Sequence, residues 1–201
     1  MQETGRILRA DITSCVVGTW VEKINESYFG ALVKILVSEG YVIMGVIHNI
    51  QVADDGLVRQ LLSSGAIAPV VIEDNRHNRN VPVEISVLFV GYIRNDQVFH
   101  LLPPSPPLSL DAMNVCTAFE KEAFTTAYRF GYFRHLLRNI DLPTGELLAA
   151  HLLDLKTVNN EKWLEDAIQE LIVLLRDDYP RLMTLMSALG DANLLPEENH
   201  A

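Results

Sequence analysis

Leu102-Pro103-Pro104-Ser105-Pro106-Pro107 divides this chain, because the spacing of apolar residues changes across it. Four prolines in five residues remove backbone donors and favour a stiff, extended path. Upstream the patterns are those of strands. Val81–Ile93 is the most β-prone run, and Val98–Leu102 follows it across Arg94-Asn95-Asp96-Gln97. Ala31–Val37 and Tyr41–Ile50 flank the turn residues Ser38-Glu39-Gly40 and read as a hairpin. Gly5–Val21 is rich in β-branched residues and carries no helical stripe. Asp54-Asp55-Gly56 marks a further turn, and Ala66–Ile72 reads as a short edge or bulged strand because it contains Pro69. About five to seven short strands with closely spaced turns predict a small closed barrel or a sandwich.

Downstream the period becomes helical. Phe119, Ala123, Ala127, Phe130, Phe133 and Leu137 line one face of a long helix beginning near Val115. Pro143-Thr144 opens a second helix with Leu147, Leu148, His151, Leu152 and Leu155 on its apolar side. Asn160 is placed to cap a third, whose stripe is Leu164, Ile168, Leu171 and Leu175, and Pro180 and Gly190 bracket a fourth. The expected class is α+β: a small closed β-barrel domain over residues 1–110, then an all-α helical bundle over residues 111–201.

The 201 residues are 49% apolar and 21% charged, which sets aside disordered, collagenous and disulfide-framework chains. Cys15 and Cys116 read as reduced, partly buried thiols rather than a bridge. No apolar run approaches the ~20 residues that span a bilayer, and Met1–Ala10 lacks the apolar stretch of a secretory leader, so a cytoplasmic chain without a membrane partner is expected. Sixteen Lys and Arg against 26 Asp and Glu leave a net charge of -10, which disfavours nucleic acid as a partner.

No Gly-Lys pair occurs, so no phosphate-cradling loop of the P-loop type can form, and no Gly-x-Ser-x-Gly elbow presents a serine. Leu171–Asp178 has the look of an apolar strand with an acidic, magnesium-holding end, but without such a loop it reads as a helix end with solvated Asp177 and Asp178. His151 and Asp154 have ligand spacing on a helix, yet His151 lies among leucines and reads as a hydrogen-bonded core histidine. Neither cysteine has neighbours that would depress its pKa. The one polar concentration is Glu73–Asn80, where Arg76, His77 and Arg79 form a candidate partner- or anion-binding loop, or simply a hairpin tip. These readings give no catalytic residue, no metal ligand and no cofactor.

Ala31–Ile50 with Ser38-Glu39-Gly40-Tyr41-Val42 and Gly45-Val46-Ile47, followed by Val83–Ile93 and Leu102–Pro107, resembles the HAS barrel, the β-domain at the N-terminus of HerA-type ATPases and rotary ATP synthase subunits. The resemblance covers about the first 110 residues. In that family the barrel precedes a P-loop motor and helps hold subunits in a ring. The motor is replaced here by helices, so the resemblance implies assembly without ATPase activity, and no family active-site residue maps onto this chain. Gly145–His151 and Asp177–Leu182 resemble uncharacterised cyanobacterial proteins that join such a barrel to helices. The expected function is that of a non-catalytic assembly or adaptor protein, forming a homo-oligomer or docking on a protein partner such as an ATPase. The alternative is an enzyme or small-ligand binder using a cleft between barrel and helices, with His151, Asp154 or the Arg76–Arg79 loop in polar roles.

Overall fold

The computed structural model describes residues 3–20, 25–37, 40–53, 56–63, 65, 67–77, 83–139 and 142–195. The first β-rich segment splits into β1 (Gly5–Ala10) and β2 (Ser14–Thr19). Asp11 causes the reversal: its Oδ1 accepts from the backbone N–H of Thr13 at 2.6 Å and of Ser14 at 2.9 Å. β3 (Leu32–Leu36) and β4 (Tyr41–Gln51) form the expected hairpin, with Leu32 opposite Val46 and Leu36 opposite Val42. Ser38 and Glu39 of its turn lie outside the described residues, while Gly40 sits at φ 78°, where a side chain would be strained. β5 (Val83–Arg94) pairs with both β4 and β2, and β6 (Gln97–Phe99) folds back on β5. Asn95 and Asp96 take φ values of 50° and 60° in that turn, which their short polar side chains tolerate.

The chain then returns to lay β7 (Ala112–Val115) between β1 and β3. The order β2-β1-β7-β3-β4-β5 closes through the β5–β2 pairing, giving an antiparallel six-stranded barrel with β6 outside the ring. The barrel therefore does not end at residue 110. Nor does the proline stretch stand apart as a divider of the chain. It is strapped to the barrel, where the Tyr41 hydroxyl lies 3.0 Å from the carbonyl oxygen of Ser105 and 2.7 Å from its Oγ. Leu110 N–H donates to the Ile7 carbonyl at 2.8 Å, and Asp111 receives the Ile7 N–H at 3.0 Å.

Alternation along the strands produces two cores. Val33, Ile35, Ile43, Ile47, Ile85, Val87, Phe89 and Met113 point inward and fill the barrel. Leu32, Met44, Val46, Leu88 and Val90 point outward and are covered by helices. These are α3 (Ala118–Thr125), α4 (Phe133–Arg138), α5 (Thr144–Lys156), α6 (Glu161–Leu174) and α7 (Tyr179–Asp191) once the two helices inserted between β4 and β5 are numbered α1 (Leu57–Ser63) and α2 (Pro69–His77). The outer cluster runs without a break from the barrel wall to Leu189, so the helices form a layer on the barrel rather than a self-contained bundle. Among the described residues no helix is long and apolar enough to cross a membrane.

Two further expectations from the sequence are corrected. The strand expected over Ala66–Ile72 is instead the start of α2; Ala66 itself lies outside the described residues. Pro69 suits the first helical position, where its missing N–H would have no partner anyway. β4 and β5 already pair with each other below the insertion, which leaves this segment no sheet edge. The single long helix expected over residues 115–137 is broken. Tyr128, Arg129 and Phe130 take left-handed φ values of 46°, 42° and 58°, forming a 3₁₀ turn (Ala127–Phe130) between α3 and α4. Left-handed backbone costs an L-residue roughly 1–2 kcal/mol. Burial of Phe130, Tyr132 and Phe133 offsets this, at about 1.5–3 kcal/mol each. Phe130 stacks on Phe133 with centroids 5.4 Å apart and meets Trp163 edge-on at 5.3 Å.

Candidate interaction surface

Among the described residues two lysines of the seam between barrel and helices, Lys34 and Lys121, are paired with acids within the chain. Lys34 on β3 pairs with Glu120, and Glu120 also closes a capping box with Thr117 at the start of α3. Burial would raise the Glu120 carboxyl, but the bonds to Lys34 and Thr117 outweigh it and hold its pKa below the usual value. At the next residue, Lys121 Nζ lies 2.6 Å from Asp154 Oδ1, which also accepts from the Tyr28 hydroxyl at 2.6 Å. Burial opposes the Lys121 charge, yet Asp154 and Tyr28 together raise its pKa. This triad joins the segment before β3 to α3 and α5, and its members are too far apart in sequence for any motif to reveal them.

His151 is fully buried and donates from Nδ1 to the Gly30 carbonyl at 2.8 Å; its Nε2, 3.2 Å from the Tyr132 oxygen, accepts from that hydroxyl. Burial brings its pKa down to about 4, so the ring is neutral. The structure thus separates the two groups that helical spacing had paired: His151 faces the core, Asp154 faces Lys121. Burial also pushes the thiols of Cys15 and Cys116 up to about 12, and both are unbridged. Among the described residues no three of His, Cys, Asp and Glu gather as metal ligands would.

Between barrel and helices lies a cavity of about 320 Å³, lined by Thr13, Leu88, Phe89 and Leu102 on one side and His135, Arg138 and Asn139 on the other. Neither His151 nor Asp154 reaches it. Of the expected loop, Arg76 and His77 fall on the last turn of α2, and Arg79 lies outside the described residues.

The insertion between β4 and β5 stands apart in kind. Among the described residues neither α1 nor α2 contributes to either hydrophobic cluster, yet Leu62 is 70% exposed and Val70 78%, with Val71 and Ile72 also exposed. Sequence reading missed it because a β-branched run is ambiguous between strand and helix. No protein-family model and no curated protein matches the chain.

Proposed function

We propose that this protein is a non-catalytic assembly or adaptor module that associates with further copies of itself or docks on a protein partner such as an ATPase. The observation that carries this reading is the α1–α2 arm. Helices of seven and nine residues are marginal in water, and most helical stability comes from packing an apolar face. This arm packs its exposed Leu62, Val70, Val71 and Ile72 against neither core of the chain. A second molecule supplies the missing surface. The resemblance of the barrel to a domain that holds ring subunits together supports the same reading.

The test is mass by light scattering on a sizing column across a tenfold range of concentration, with and without a co-expressed ATPase partner. Leu62→Asp and Val70→Asp should lower the mass or release the partner while leaving the thermal midpoint within about 1–2 °C of the parent, since surface substitutions change stability little. Retained association in both variants would remove the arm from the reading. The second reading, a small-ligand binder, rests on the cavity beside His135 and Arg138. A thermal-shift screen of small carboxylates, with Arg138→Ala as control, tests it.

A further inference from the structure

The left-handed turn between α3 and α4 places two exposed side chains of the kind that anchor interfaces, Tyr128 at 69% exposure and Arg129, on a rigid base. The base is rigid because Phe130, the last residue of the turn, is held between Phe133 and Trp163. Arg129 and Phe130 also line one wall of a surface cavity of about 380 Å³ whose other wall is Asp166, Gln169, Glu170 and Val173 on α6. A basic knob and an acidic pocket therefore lie side by side on one face. Among the described residues Arg129 makes no ion pair with either acid; Asp166 is engaged instead by Lys162 at 2.6 Å. Beside the acids, Val173 and Leu174 are exposed and give the same face an apolar strip.

A patch that carries both a projecting positive group and an adjacent negative recess is complementary to itself under a two-fold rotation. An axis placed between knob and pocket would bring each copy's Arg129 to the acids of the other and the two Val173–Leu174 strips together. We infer that the Tyr128–Arg129 turn and the acidic face of α6 form an isologous interface with a second copy of this chain. This rests on the assembly reading above but assigns it to the helical layer, on elements separate from the α1–α2 arm. The net charge of -10 argues for matched pairs at such a contact, because two acidic molecules otherwise repel.

The experiment is light scattering on the full chain, with sedimentation equilibrium for the dissociation constant. The parent should give a dimer, or a larger species built of dimers. Arg129→Glu and Glu170→Arg should each weaken association by at least about tenfold, and the double variant carrying both should recover it, since the reversed charges pair again across the axis. Unchanged far-ultraviolet circular dichroism establishes that the exposed substitutions leave the fold intact. An oligomer indifferent to both single variants overturns this inference and leaves the assembly reading to the arm. A parent that stays monomeric at every concentration overturns this inference together with the self-association branch of the reading, leaving docking on a different protein.

Discussion

The carbonyl of Gly30 accepts a hydrogen bond from Nδ1 of His151 across 121 positions of sequence, at 2.8 Å, in the interior of the protein. That bond ties the entry to β3 onto α5. It also fixes the tautomer of a ring that must stay neutral to remain where it is.

The first consequence is a pH dependence with a defined sign. His151 has a folded pKa of about 4 against an ordinary value of 6.5, so the unfolded chain takes up its proton first as pH falls. The stability associated with the neutral ring is complete above pH 6.5 and is lost as pH falls towards 4, by about 3 kcal/mol at pH 4. Burial lowers the pKa of His48, His100 and His135 in the same sense. Urea unfolding at pH 7 and pH 4.5 measures the loss, and His151→Gln should flatten the profile while lowering its plateau.

Gly30 should resist replacement. It sits at φ 86°, and a Cβ there would come within 2.7 Å of the His151 backbone nitrogen. Gly30→Ala should destabilise by about 2 kcal/mol or more, through left-handed strain and displacement of α5. A fall in thermal midpoint of only 1 °C would mean that α5 moves aside freely.

The Lys121–Asp154 pair is buried, with side chains 9% and 8% exposed. Lys121→Met or Asp154→Leu alone leaves a buried charge without its partner and should cost about 3–5 kcal/mol. The double replacement should recover most of that loss. A double-mutant cycle by chemical denaturation checks the coupling, and additive losses would contradict it.

Both thiols should be inert in the folded protein. With pKa values of about 12, Cys15 and Cys116 hold almost no thiolate at pH 8. Ellman's reagent should react with neither on the timescale of minutes and with both in 6 M guanidinium, and fast labelling of Cys116 in the native protein would show that the α3 seam opens.

The parts legible in the sequence were those whose signal is local. The β3–β4 hairpin, the β5 run, and the Asn160 cap, whose Oδ1 accepts from Trp163 N–H at 2.8 Å, all declare themselves within a few residues. The barrel's closure does not, because β7 is only four residues long and its partners are β1 and β3, more than 75 positions away by sequence. The α3–α4 break was hidden by a stripe of aromatic residues that keeps helical spacing on both sides of a left-handed turn. The seam ion pairs carried no motif, and the start of α2 looked like a strand because Val70, Val71 and Ile72 favour sheets wherever an edge is free.

The position of β7 also sets the order of events when the chain leaves the ribosome. Strands β1 to β6 emerge first, but β1 and β3 each wait with an open edge until residues 112–115 arrive to bridge them. A nascent chain halted at residue 110 is an open sheet with two adhesive borders, the form most prone to pairing with a neighbour. Cutting the gene at its proline-rich segment, the place composition suggests, would therefore yield an aggregating fragment, whereas a cut after Val115 keeps the ring of strands whole.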